Sequence, residues 1–233
     1  MILHGDISLQ APLIVVAVEE EARHLHISGL PILVTGVGKV CAASSLSAIL
    51  ARQRPARILN LGTAGALRPG LTGTHVVGRV IQHDFDDESI FAVTGTRFGE
   101  PIELGPGPVL ASGDVFVSGG EARERLAARA DLVDMEGYAV ARVAKNFGLE
   151  ATLVKEVSDE AGADAGRSWQ EALEACAERL GAWVRREVLA AGRTRRAGGL
   201  SACYANRRLH PYCSHCHCRM PRLHGGQGYV PCS

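Results

Sequence analysis

The sequence predicts an α/β fold in which helices cover a mostly parallel sheet. Two observations carry that reading. Short β-branched runs alternate with segments of helical period, a pattern that builds parallel sheets with helical crossovers. Leu13–Val18 (LIVVAV) is apolar at every position, as a strand covered on both faces must be. The 233 residues are 46% hydrophobic and 21% charged, unlike the apolar-poor, charge-rich composition of disordered chains. No uncharged apolar run reaches the ~20 residues that span a bilayer. The first ten residues, MILHGDISLQ, place no basic segment ahead of an apolar one, which argues against a secretory signal.

Taken in order, Leu13–Val18 is the first strand and Pro31–Thr35 (PILVT) the second. Gly36–Lys39 (GVGK) turns the chain into a helix over residues 40–52. Arg57–Leu61 (RILNL) is a third strand, ending in glycine-rich Gly62–Gly65. His75–Gln82 and Ile90–Thr94 read as further strands, and Glu121–Ala130 as a short charged helix. Met135–Phe147 is a helix stopped by Gly148, and Ala151–Val157 (ATLVKEV) a late strand. Trp169–Leu189 shows the clearest helical period, with apolar residues at 169, 172, 173, 176, 177, 180, 183, 184 and 188. Ser168 and Glu171 have capping-box spacing at its start.

Charge divides the chain. Residues 1–192 hold all 25 acids against 18 Lys plus Arg, a net −7, whereas residues 193–233 hold seven Arg and no acid. The expected organisation is a body over 1–192 and a basic tail over 193–233. An acidic body does not suit a phosphate backbone, which needs clustered Lys and Arg. Cys41 and Cys176, the body's two cysteines, read as small buried hydrophobes of a reduced, cytoplasmic protein.

In parallel sheets ligands bind at the carboxyl ends of strands, and polar or glycine-rich segments sit at those ends. Glu19-Glu20-Glu21 follows the first strand. Acids there suit a helix N-terminus, or one of them points into a cleft as a desolvated base. Asn60–Gly65 (NLGTAG) brings backbone amides within reach of a ligand, or is only a turn. Gly36–Lys39 lacks the spacing of a P-loop. Asp134-Met135-Glu136 opens a helix, and Ser158-Asp159 ends a strand bearing Lys155; both sites also fit ordinary capping.

The ordered run VAVEEEARHL, VTGVGKVCAA, NLGTAGAL, SGDVFVSG, VDMEGYAVARVAKNFG and LVKEVSDEA, spanning Leu13 to Leu189, resembles the purine nucleoside phosphorylase and nucleosidase superfamily. Within it the chain is most similar to the nucleosidases that hydrolyse methylthioadenosine and S-adenosylhomocysteine. That resemblance implies a three-layer α/β/α sandwich with a central mixed, mostly parallel sheet. It also implies hydrolysis of a purine N-ribosidic bond in a homodimer, with no metal or organic cofactor. The transition state is oxocarbenium-like, so one acid protonates the leaving base and another activates water. By resemblance Asp159 is the acid, with a pKa raised by burial, and Glu21 activates the water. Thr63 matches a water-contacting Ser, and Ala64 and Gly65 follow it at the substrate. Glu136 grips the ribose hydroxyls, Met135 packs on the sugar, Phe116 stacks on the purine, and the Val117 backbone bonds its edge.

Two departures bear on the substrate. Lys155 stands where the resemblance places an Arg, and Lys lacks the bidentate fork. About a dozen residues separate Glu21 from Val34, shorter than the family's hairpin. The segment His83–Asp86 with Phe98–Gly99 resembles a loop near the subunit contact, and equally suits a polar surface loop. A phosphorylase is the alternative, but the Glu21 charge would repel a phosphate. Residues 193–233 carry Cys203, Cys213, Cys216, Cys218 and Cys232. They read as a disordered or artefactual extension, a zinc site or an RNA- or partner-binding arm, and the last two would give the protein a role without catalysis.

Overall fold

The computed structural model describes residues 1–190. Ten strands form one sheet: β1 (Ile2–His4), β2 (Leu13–Val16), β3 (Ile32–Val34), β4 (Ile58–Ala66), β5 (Thr74–Val76), β6 (Arg79–Gln82), β7 (Ile102–Glu103), β8 (Val109–Ser112), β9 (Leu132–Asp134) and β10 (Ala151–Asp159). The helices are α1 (Glu19–Ala22), α2 (Lys39–Leu50), α3 (Asp87–Thr94), α4 (Gly120–Ala127), α5 (Gly137–Asn146) and α6 (Ala165–Trp183), with a π turn over Val184–Leu189. The basic tail and its cysteines lie outside the described residues.

The order β1-β3-β2-β4-β9-β8-β6-β7 is mixed, and β10 pairs with β4 and β5. The β2–β3, β2–β4, β4–β10, β6–β8 and β8–β9 pairings are parallel, the other four antiparallel. Alternate residues of a strand face opposite layers, and β2 serves both. Leu13 and Val15 pack with Leu46 and Leu50 of α2 and Val140 and Val143 of α5. Ile14 and Val16 pack with Leu180 and Val184 on the other face. Each such side chain contributes roughly 1.5–3 kcal/mol on leaving water. No helix among the described residues is long and apolar enough to cross a membrane.

Several expectations are corrected. Ile90–Thr94 is helical, not a strand. Its boundaries decide this: the Asp86 carboxylate accepts from the Ser89 N–H at 3.1 Å, and Gly95 closes the helix at φ 68° with its N–H on the Phe91 carbonyl. His75–Gln82 is two strands, because the chain leaves β10 at Val76 and joins β8 at Arg79. Between them Gly78 lies so close to the Gly107 backbone that a Cβ would stand 2.5 Å from its nitrogen. Glycine-rich Gly62–Gly65 is strand, not turn. Helix α6 begins at Ala165, so Ser168 lies in its first turn and makes no capping box; that turn has no large apolar residue to announce it. Cys176 is buried, whereas Cys41 is exposed on α2. Strands β1, β7, β8 and β9 are too short for the periodicity to reveal.

Candidate active site

The sheet leaves a gap along one edge of β4. Strand β2 runs parallel to β4 and pairs only as far as Val15 with Asn60. Strand β9 runs the opposite way and meets β4 again at Gly65. Between them the edge of β4 has no strand neighbour, and the carboxyl ends of β2 and β9 converge on it. Such a switch of strand order is where α/β sheets bind ligands. A cavity of about 250 Å³ opens there, lined by residues from the ends of β2, β4, β9 and β10.

Glu21 fills part of the gap. It is buried, and its Oε1 accepts from the Thr63 N–H at 2.8 Å and the Thr63 hydroxyl at 3.0 Å. Its Oε2 accepts from the Ala17 N–H at 3.1 Å. The carboxylate thus takes backbone donors that a neighbouring strand would otherwise satisfy. The Thr63 hydroxyl in turn accepts from the Trp169 indole N–H at 2.8 Å, which fixes the direction of its own proton. Gly62 leaves room beside it: a Cβ there would stand 3.1 Å from Glu21 Oε1 and press on the carboxylate.

Asp159 reaches the cavity from β10, along the other edge of β4. Pairing slips between Val157 and Asp159, opposite Ala64 and Gly65. A bulge of this kind re-aims a side chain. The Ser158 hydroxyl donates to Asp159 Oδ2 at 2.7 Å and the Ala161 N–H to Oδ1 at 2.8 Å. Ala161 holds φ 49°, an uncommon conformation for a residue with a Cβ.

Glu136 stands at the N-cap of α5, with Oε1 accepting from the Gly38 N–H at 2.7 Å. Burial, and then the Asp134 charge, push its pKa up to about 8. Asp134 ends β9, where its carboxylate accepts from the Ser112 hydroxyl and the Gly137 N–H and pairs with Lys155 Nζ at 2.8 Å. Burial alone would pull the Lys155 ammonium down; Asp134, Glu136 and Glu21 outweigh it, leaving the pKa raised.

The structure gathers most expected site residues into this one cavity. Glu21, Thr63, Ala64, Gly65, Phe116, Val117, Met135, Glu136 and Asp159 all line it. Lys155 does not: its side chain is 2% exposed and paired with Asp134, itself a lining residue. The Gly36–Lys39 loop contributes Val37 to the lining. Lys39 braces that loop through Asp84 Oδ1 at 2.5 Å, and Asp84 also accepts from the Asp114 N–H. His83–Asp86 and Phe98–Gly99 stay outside the cavity. Trp169, Val37 and Ala161 line it without having been singled out in the sequence. Trp169 falls on the apolar stripe of α6, so its position signalled core. The only hint was an aromatic ten residues past a strand-end acid.

Comparison with known proteins matches the Phosphorylase superfamily model over residues 16–106 and 98–189. A 5′-methylthioadenosine/S-adenosylhomocysteine nucleosidase of Bacillus subtilis is 31% identical over 173 residues, covering 63% of this chain and 74% of that protein. An aminodeoxyfutalosine nucleosidase of Helicobacter pylori is 30% identical over 163 residues, covering 59% and 70%. The structure of a Helicobacter pylori 5′-methylthioadenosine/S-adenosylhomocysteine nucleosidase superposes with a TM-score of 0.67 at 24% identity, over 76% of this chain and 97% of the other. A futalosine hydrolase mutant of the same organism gives 0.68 at 22% identity, with the same coverage.

Proposed function

Since this chain belongs to the Phosphorylase superfamily, we propose that its cavity hydrolyses the N-ribosidic bond of a purine nucleoside of the methylthioadenosine or S-adenosylhomocysteine type. One observation carries the choice of water over phosphate. The described lining residues include four carboxyl groups, Glu21, Asp134, Glu136 and Asp159, and no Lys, Arg or His. Lys155, the nearby cation, is already paired with Asp134. A dianionic nucleophile would meet the buried Glu21 carboxylate with no free cation among the described lining residues to offset it, whereas the cation that develops on the ribose is stabilised by that carboxylate.

Asp159 gives its proton to purine N7 as the bond from C1′ to the base nitrogen breaks. Glu21 takes a proton from water while the water oxygen bonds to C1′, so free base and the free ribose, still carrying its 5′ substituent, leave. Thr63 shares that water through its hydroxyl. Glu136 holds the ribose hydroxyls and strengthens its interaction as positive charge builds. Met135 covers the sugar; Phe116 and Val117 receive the base. Phe116 is 52% exposed at the cavity mouth, beside Val115 and Val37.

The same reading takes residues 1–192 as the catalytic body of a cytoplasmic homodimer. Helix α3 buries none of its residues, and Ile90, Phe91 and Val93 are exposed on it, which suits a covering partner. Sedimentation at micromolar concentration checks the dimer. The function is tested by base release from a panel of nucleosides, with and without inorganic phosphate. Free ribose products at equal rates in both arms are expected. Dependence on phosphate, with ribose 1-phosphate as product, would replace hydrolysis by phosphorolysis.

A further inference from the structure

Away from the cavity, three metal-ligating side chains meet. His4 ends β1, Glu19 opens α1, and His26 begins the 3-10 turn His26–Ser28. One donor atom from each lies within 4.8 Å of the other two. His4 Nε2 is 3.0 Å and 3.3 Å from the two Glu19 carboxylate oxygens. The His4 and His26 rings meet edge-on, with centroids 4.8 Å apart and planes at 90°. None of the three lines the cavity, and Glu19 and His26 are exposed, so solvent ions reach them.

Bonds to zinc of about 2.0–2.2 Å place neighbouring ligand atoms roughly 3.3 Å apart in a tetrahedral site. The His4–Glu19 pair already has that spacing. His26 is on the surface and closes the remainder by a small side-chain rotation. Two imidazoles and one carboxylate form a borderline donor set, suited to zinc, nickel or cobalt rather than to calcium or magnesium, which select oxygen. The fourth position faces water.

We propose that His4, Glu19 and His26 form a binding site for a divalent transition-metal ion of the zinc class. The three ligands come from edge strand β1, from α1 just after β2, and from the 3-10 turn that follows α1. The ion would therefore tie edge strand β1, held otherwise by its pairing with β3, to the segment that carries Glu21. Binding of this kind stabilises the folded chain by mass action.

Zinc titration calorimetry on the full chain, wild type beside a His4→Ala/His26→Ala double variant, is the test. Residues 193–233 are present in both proteins, so zinc taken up there cancels in the difference. The wild type is expected to bind one equivalent more than the double variant. Zinc should also raise the melting temperature of the wild type more than that of the double variant. Single His4→Gln and His26→Gln variants, which keep the side-chain volume, should each weaken this equivalent by more than about tenfold, the lower end of what losing an outer hydrogen-bond partner costs a metal site. Equal zinc uptake by wild type and double variant, or none by either, overturns the proposal.

Discussion

Lys155 and Glu156 are neighbours on β10, each about 1% exposed, and they face opposite layers of the sheet. Glu156 meets a matched set: Oε1 accepts from Arg179 Nε at 2.5 Å and Oε2 from the Thr74 hydroxyl. One acid faces one base, and Arg179 is half-exposed, so solvent shares the charge. Lys155 meets an unmatched set, in which Asp134, Glu136 and Glu21 all act on a single ammonium. The first arrangement is complete as structure. The second crowds three acids around one cation and drives the Glu136 pKa up, which stability alone does not select, and such perturbed groups concentrate where chemistry is done.

The sharpest way to separate the two sides is through activity. Asp159→Asn and Glu21→Gln keep shape and one acceptor oxygen but remove the proton donor and the base, and Glu21→Gln gives up either the Ala17 N–H or the Thr63 donors. Each is expected to lower kcat for base release by about 10²–10⁴-fold, with a thermal melt close to wild type for Asp159→Asn and a loss of about 1–3 kcal/mol for Glu21→Gln. Glu156→Gln, on the other face, should leave kcat within about twofold of wild type, well under what loss of a proton-transfer group costs. Near-normal turnover by either cavity variant would remove that residue from the mechanism.

Stability reverses the emphasis within one strand. Lys155→Met leaves buried carboxylates without their cation and should cost about 3–5 kcal/mol in urea unfolding. Glu156→Gln retains an acceptor for the Thr74 hydroxyl and should cost only about 1–2 kcal/mol. Similar losses for the two would mean that the sides are equally structural.

pH provides a gentler probe of the unmatched side. Glu136 titrates at about 8 in the folded chain, above its ordinary 4.5. The folded state therefore binds this proton more tightly than the unfolded state. Its contribution to stability is complete below about pH 4.5 and is lost as pH rises through about 8. Glu136→Gln, which keeps an oxygen for the Gly38 N–H, should match wild type near pH 4.5 and be the more stable protein by a margin that grows as pH rises toward 8.5. Denaturant midpoints across that range check the sign.

Most of the fold was legible because long runs declare themselves. Leu13–Val16, Ile58–Leu61 and α6 each carry a strong apolar period. The failures have local causes. Ile90–Thr94 looked like a strand because its β-branched residues were weighed without Asp86 and Gly95, the caps that bound it. Strands of two to four residues around Val109 and Leu132 gain their stability from neighbours, not from their own pattern. At the candidate site, the motif residues are legible because they lie at strand ends, but Lys155, which the resemblance places at the substrate, is buried and does not line the cavity. Sequence spacing gives the strand position but not which partner the side chain meets; here that partner is Asp134.

Trp169 is the residue that the sequence concealed most completely, and it supports the smallest expected effect. Its indole N–H donates to Thr63 Oγ, whose proton is thereby directed to Glu21 Oε1. Without that donor the hydroxyl can rotate away and leave Glu21 one hydrogen bond short. Trp169→Phe keeps an aromatic ring in the wall and removes only the donor. A neutral hydrogen bond contributes about 1 kcal/mol, so kcat should fall roughly fivefold with KM nearly unchanged, since the substrate still meets an aromatic surface. A rise in KM at constant kcat would instead assign Trp169 to substrate packing and leave Glu21 positioned by the Thr63 and Ala17 backbone N–H groups alone.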